Sequence, residues 1–489
     1  MQPWLILTVV LGYIVLLFVI AHITGKDASN DNFFIAKHQS PWWVVAYGVI
    51  GASISGVTFI SVPGAVGKLG SVNGSFSYMQ VVLGNMVGYA VIALVLLPLY
   101  YKMQLTSIYG YLHKRFGWYS YKTGAGFFLL SRTIGAAFRL YLVAVVLQVF
   151  LFDKWGVPFY ANVIITLILI GAYTLRGGLK TIIWTDTLQT TVMLLTVFVT
   201  IGYIGYDLGL GTSGLWQAVA DSPYSQCFFW DWRPDNYFFK QFLSGAFIAI
   251  AMTGLDQDLM QKNNSCRSLP EAQKNMLTSS TILLFVNMCF VGLGALLYVY
   301  AQAKGLVLPK NSDYLFPQLA FENFAPWVGI LFLVGLTAAA YSSVDSALTA
   351  LTTSFCVDFL DFEQKTASGE YPEKKLTQTR LKVHISFTLV VLVVILFFNY
   401  ALKQEVITAV FRVASFTYGP LLGLFAFGLY TKRQIADKYT PVICILPPVI
   451  CYFLFTYSAQ LFWGYKMGFE LLLINAALTF LALLLISKK

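Results

Sequence analysis

The chain has 489 residues, of which 58% are hydrophobic and only 11% charged, with a formal net charge of +10. A soluble globular chain carries roughly 25% charged residues, so a single water-exposed domain around one core is excluded. The basic excess fits Lys and Arg gathered in the cytoplasmic loops of a membrane protein better than a nucleic-acid surface. The 6 cysteines form no CxxC pair and the 4 histidines have no ligand spacing, which suggests neither a disulfide framework nor a transition-metal centre.

The first apolar run extends from Pro3 to about Ile23, with no Lys or Arg before it and Lys26 after it. A secretory signal has a basic front end, so the run is read as a retained first span with its N-terminus outside. Apolar segments long enough to cross a bilayer then recur. They fall at 3–24, 41–67, 75–101, 121–151, 158–175, 181–206, 238–261, 276–303, 320–357, 382–401, 405–430, 439–459 and 467–487. An odd count of thirteen puts the termini on opposite sides, the C-terminus inside. About two thirds of the 32 basic residues then fall in predicted inside loops, among them Lys26, Lys37, Lys102, Lys114, Arg115, Lys262, Lys374, Lys375 and Lys489. Lys68, Lys154, Lys403 and Lys466 are among the fewer placed outside. The longest loops, about 207–236 outside and 358–381 inside, are too short for a soluble core. The outer one is aromatic (Phe228, Phe229, Trp230, Trp232), a lid or a segment packed on the surface.

An ionisable residue at the bilayer centre costs about 2.5–3.5 kcal/mol on insertion scales and persists mainly beside a cavity or a partner. Here these residues are Arg132, Arg139, Asp186, Asp256, Asp258, Asp345 and Arg412. Arg132 and Arg139 are seven apart, about 20° from exact overlap on a helix, so they share a face. They pair either with acids such as Asp186, Asp256 or Asp345, or with an anionic solute. Ser342, Asp345 and Ser346 also share one face, and hydroxyls with carboxylates make an oxygen-rich site suited to a hard cation.

Two spans are interrupted by glycine: Gly48 to Gly64 in the second, and Ser244-Gly245 with Thr253-Gly254-Leu255-Asp256-Gln257 in the seventh. They open two blocks of five spans. Broken helices in corresponding positions mark inverted-repeat transporters, whose freed carbonyls hold ions or solute near the midplane.

At these residues the sequence resembles the sodium/solute symporter family, relatives of sodium-coupled sugar, proline, vitamin and sialic acid carriers. The resemblance covers most of the chain. It rests on Ser55-Gly56-Val57-Thr58-Phe59-Ile60, Trp184-Thr185-Asp186, Gly254-Leu255-Asp256-Gln257, the Ala-Ala-x-x-Ser-Ser run ending at Ser343, and Tyr418-Gly419-Pro420-Leu421-Leu422-Gly423, in the family's order.

The resemblance implies an all-α integral membrane protein with a LeuT-like fold and no catalytic activity. A flanking span and loop would occupy 3–40, the first inverted repeat 41–206, the outer loop 207–236, the second repeat 237–430 and C-terminal flanking spans 431–489. The main sodium site would use carbonyls of Gly51, Ile54 and Ala339 with hydroxyls of Ser342 and Ser343. A second sodium would sit among Asp186, Ser342, Asp345 and Ser346, with Asp345 departing from the usual small hydroxyl residue and opening the option of a proton there. Ser55, Thr58, Phe76 and Gln80 would line the solute pocket, with Arg139, Arg132 and Asp256 nearby. The expected function is sodium-driven import of a small polar solute across a cell membrane, a bacterial inner membrane, with no protein partner or nucleic acid. The arginines favour a carboxylate-bearing solute such as a sugar acid, with a neutral sugar as the alternative. A transporter-like sensor is the alternative of a different class. It would carry an appended signalling domain, whereas Lys489 follows the last span directly.

Overall fold

Inside a bilayer no water is available to backbone N–H and C=O groups, so an apolar chain satisfies them within helices. The computed structural model describes residues 3–24, 33–34, 39–69, 71, 73–367, 372–401, 406–465 and 467–488. The topology expectations for Lys26, Lys37, Lys403, Lys466 and Lys489 lie outside the described residues.

Helix α1 is Pro3–Thr24. Helices α2 (Trp42–Ser53) and α3 (Gly56–Ala65) form one apolar pair bent by 54°. They are followed by α4 (Tyr78–Met103) and α5 (Trp118–Trp155), with a short helix Gly110–Arg115 between. Helices α6 (Phe159–Leu175) and α7 (Gly178–Asp207) meet at Gly178, whose φ of 53° is one that a side chain strongly disfavours and whose absent Cβ leaves room for Phe33. The pair α8 (Phe238–Gly254) and α9 (Gln257–Asn264) bends by 66°. Then come α10 (Leu269–Ala303), α11 (Pro326–Phe359) and α12 (Glu373–Ala401). A third bent pair joins α13 (Val406–Thr417) to α14 (Gly419–Tyr430), its apolar part turning by 42°. Helices α15 (Thr440–Leu461) and α16 (Leu471–Leu485) complete the set. Among the described residues the strands are one short antiparallel pair, β1 Gln434–Ile435 with β2 Ser487–Lys488.

Hydropathy marks where a bilayer would lie rather than where helices end. The segments expected at 276–303 and 382–401 accordingly begin earlier, at Leu269 and Glu373, with polar opening turns.

Helix α11 is the axis of the bundle: 83% of its apolar window is buried, against 22% for α12. It packs on α7, α5 and the broken pair α2–α3. Phe59 of α3 meets Phe290, Phe316 and Phe332 at ring distances of 6.0, 5.7 and 5.7 Å. Helices α4 and α8 approach backbone to backbone, because Gly84 and Gly88 face the carbonyls of Phe242 and Ala246 while Gly245 faces that of Val81. Small residues allow such contact where no hydrophobic force pulls helices together in lipid. Outward-facing Val393, Phe397 and Leu481 are exposed, as side chains at a lipid boundary would be.

Candidate functional site

The break between α2 and α3 is the first element of the site. Ile54 and Ser55 are extended there, and Ile54 N–H donates to the Ile50 carbonyl at 2.9 Å. Among the described residues the Gly51 carbonyl, at the end of α2, receives no backbone N–H from the next turn, as at helix C-termini. This end is pressed on α7. A Cβ on Gly51 would collide with Thr190 Oγ1 and lie 3.2 Å from the Asp186 carbonyl.

The second break, between α8 and α9, is satisfied by tyrosines. Tyr100 donates to the Gly254 carbonyl and Tyr109 to the Leu255 carbonyl, each at 2.9 Å. Asp256 caps α9 by accepting from Asp258 N–H at 2.9 Å. Helix α9 is polar yet wholly buried, and Gln257, Gln261, Lys262, Asn263 and Asn264 all lie inside the bundle.

Its charges are paired across helices. Arg132 of α5 forms an ion pair with Asp258 and lies 3.9 Å from Asp256. Asp256 also accepts from the Tyr418 hydroxyl at 2.5 Å. Lys262 donates to Asp186 Oδ2 and to Ser346 Oγ, both at 2.7 Å, and its third neighbour is Asp258 Oδ1 at 3.9 Å. Asp345 accepts from the Tyr173 hydroxyl and from Ser346 N–H, both at 2.6 Å, and forms no ion pair among the described residues. On the same α11 face, the buried Ser342 hydroxyl lies beside Asp186 without a regular hydrogen bond, and Ser343 donates to the Ala339 carbonyl at 3.1 Å.

A cavity of about 120 Å³ lies next to these breaks, lined by Ser55, Thr58, Tyr78, Asn85, Arg132 and Arg139, with apolar walls from α8 and α13. Arg139 makes no hydrogen bond or ion pair among the described residues. Asn85 Oδ1 likewise has no partner there.

Several expected residues lie elsewhere. Phe76 and Gln80 stand outside this cavity. Helix α4 begins at Tyr78, so Tyr78, Asn85 and Tyr89 form its cavity face, whereas Gln80 donates to the Asn236 carbonyl at 2.8 Å and accepts from Phe229 N–H at 3.2 Å. Phe76 N–H donates to the Gln226 carbonyl at 3.1 Å. Both tie the outer loop to α4. Asp256 is fully engaged by α9, Tyr418 and Arg132 and does not line the cavity. Lys262, expected in an inside loop, is 1% exposed. At the position expected for a second sodium, the Lys262 ammonium is bonded to Asp186 and Ser346, while Asp345 is held by Tyr173 and the Ser346 N–H. Sequence reading missed Lys262, Tyr173, Tyr78, Asn85 and Tyr89. The Asp258–Lys262 spacing on a Gly-broken helix was the available signal for the first, and the 78, 85, 89 spacing for the last three.

The model of the Sodium:solute symporter family matches residues 33–437. The chain is 25% identical over 465 residues to Sodium/sialic acid symporter SiaT of Proteus mirabilis, covering 93% of this chain and 90% of that protein. It is 26% identical to human Sodium-coupled monocarboxylate transporter 1, over 83% of this chain and 65% of that one. A solved structure of the substrate-bound outward-open state of a Na+-coupled sialic acid symporter has the same fold, with a TM-score of 0.82, 20% identity, and coverage of 99% of this chain and 98% of that one.

Proposed function

Because the chain belongs to the sodium:solute symporter family, we propose that it is a sodium-coupled symporter importing a small carboxylate-bearing solute, a sugar acid of the sialic acid type, by alternating access. One observation carries the solute class. Two arginines line one cavity; Arg132 is neutralised by Asp258 and Asp256, and Arg139 makes no hydrogen bond or ion pair among the described residues. A guanidinium fork matches a carboxylate in shape and charge. A neutral sugar would leave that charge uncompensated in the bundle. The relatives named for sialic acid and for monocarboxylates support the same class.

The main sodium ion is assigned to carbonyls of Gly51, Ile54 and Ala339 with the hydroxyls of Ser342 and Ser343. The open end of α2 and the Ser342 hydroxyl favour this set. Among the described residues, seven long apolar helices, three bent pairs and three shorter apolar helices support thirteen spans; two inverted repeats at 41–206 and 237–430, an N-terminus outside and residence in a bacterial inner membrane complete the reading. The family and the relatives are transporters, which supports a transporter over an enzyme or a sensor.

The test is uptake of radiolabelled N-acetylneuraminate into proteoliposomes under an inward sodium gradient. Sodium-dependent accumulation, competed by other sugar acids and not by neutral hexoses, is expected. Competition by neutral hexoses alone would overturn the solute class, and equal uptake in potassium would overturn sodium coupling.

A further inference from the structure

We propose that Lys262 is a tethered cation standing where a second transported ion would bind, so that this chain moves one sodium per solute. The inference rests on the sodium-symport reading and specifies its stoichiometry.

The position is oxygen-rich, built by Asp186 of α7 and by Ser342, Asp345 and Ser346 of α11. Such a set suits a hard monovalent cation, and the chain supplies one of its own. The Lys262 ammonium donates to Asp186 and Ser346, both at 2.7 Å. With three donors and unit charge, it takes two of these oxygens and brings the charge compensation that a sodium ion would bring. A sodium ion added among the same oxygens would meet a like charge at a buried position, where Coulomb repulsion is stronger than in water. Burial alone does not explain a lysine here, since a Lys side chain is almost never fully buried unless paired, and this one reaches from α9 to two other helices.

The backbone makes the substitution consequential. Lys262 sits on α9, the half-helix beyond the second break, and its partners sit on α7 and α11. A free ion leaves the protein when the inner half of the bundle opens. An ammonium on α9 can only move with α9. Its ion pair with Asp186 therefore acts as a latch between the broken helix and the α7–α11 pair, and the charge stays with the protein throughout the cycle.

The experiment counts radiolabelled sodium bound per protein at equilibrium in detergent, with no solute present. It is paired with reversal-potential measurements on the same protein in proteoliposomes. The wild type is expected to bind one sodium and to give a Hill coefficient of about 1. Lys262→Met, which keeps the stem and removes the charge, is expected to bind a second ion and raise the Hill coefficient towards about 2. Lys262→Arg is expected to stay at one. Two sodium ions in the wild type would overturn the proposal whatever the variants do, so it remains testable if Lys262→Met fails to fold. A single ion in a folded Lys262→Met would overturn it too. Absence of any sodium binding by the wild type would overturn the sodium-symport reading itself, an outcome distinct from the other two.

Discussion

Tyr418 joins two of the helix breaks: from the turn between α13 and α14 its hydroxyl donates to Asp256 Oδ2 at 2.5 Å, at the turn between α8 and α9. Asp256 uses its other oxygen to cap α9. One carboxylate therefore fixes the relative angle of two bent helices. Tyr418→Phe keeps the ring and removes the donor. Leaving a buried carboxylate oxygen short of a partner costs about 1–3 kcal/mol. A drop of that size in unfolding free energy is expected, with the maximal transport rate falling more than solute affinity. Thermal unfolding in detergent and initial uptake rates measure both; wild-type values for stability and rate would show that the bond does not set the hinge.

The two arginines of α5 should separate cleanly. Arg139→Lys keeps the charge and loses the planar fork. A charge-assisted hydrogen bond contributes about 1.5–3 kcal/mol, so solute affinity should weaken on the order of 10- to 150-fold with little change in stability. Arg132→Met instead removes the partner of buried Asp258 and should cost about 3–5 kcal/mol of stability. Calorimetric titration with N-acetylneuraminate and thermal unfolding distinguish the two. Normal affinity in Arg139→Lys would remove that side chain from the solute site.

Much of this site is legible in sequence because local periodicity encodes it. Arg132 and Arg139, seven apart on a helix, do line one cavity. Ser342, Asp345 and Ser346 do lie together on α11 beside Asp186. Glycines inside apolar runs announced the first two bends, where the backbone leaves the helix within a span. What failed depends on partners distant in sequence. Gln80 faces Asn236 and Phe229 of the outer loop rather than the cavity. The register of α4 decides this, turning Tyr78, Asn85 and Tyr89 to the cavity and Gln80 to the outer loop. Lys262 reads as a loop lysine because hydropathy counts its charge and cannot see Asp186, 76 residues away in sequence. Asp256 looks like a solute ligand until its helix-capping role is visible.

Gly51 offers a test of close packing at the open end of α2. A methyl group there would collide with Thr190 Oγ1 and crowd the Asp186 carbonyl. Overpacking of this kind costs about 1–3 kcal/mol, and displacing α2 would move the carbonyls assigned to sodium. Gly51→Ala is expected to raise the sodium concentration for half-maximal uptake as well as lowering stability. Adding Thr190→Ala removes the colliding oxygen and should restore part of both. If the double variant is no better than Gly51→Ala alone, steric crowding at Thr190 is not the cause.

The sodium site on α11 should respond to single hydroxyls. Ser343→Ala removes a donor to the Ala339 carbonyl, a bond the helix can do without. Its effect on folding should therefore be small, while sodium half-saturation rises roughly tenfold, about 1.4 kcal/mol. Sodium titration of uptake at saturating solute reads the change. An unchanged sodium requirement would exclude this hydroxyl from the site.

The Lys262–Asp186 pair yields the strictest prediction, because it concerns a sum. Breaking a buried ion pair by removing one partner is strongly destabilising, by about 3–5 kcal/mol, whereas replacing both partners with neutral groups is often nearly neutral. Asp186→Asn leaves the ammonium with Ser346 at 2.7 Å and Asp258 no nearer than 3.9 Å. Lys262→Met leaves two buried carboxylates, Asp186 and Asp345, on facing helices. In sodium-free buffer each single variant should lose stability, and the double variant should recover most of it, giving a large negative interaction energy in the cycle. Sodium then discriminates. A ligand that binds only the native state stabilises it in proportion to the logarithm of its concentration over Kd. Added sodium should therefore restore Lys262→Met, which retains both carboxylates, much more than Asp186→Asn or the double variant. Thermal unfolding of all four proteins across a sodium series, with choline balancing ionic strength, gives every term. Additive losses in the double variant, together with equal sodium responses in all four, would mean that Lys262 and Asp186 do not act as a compensated pair.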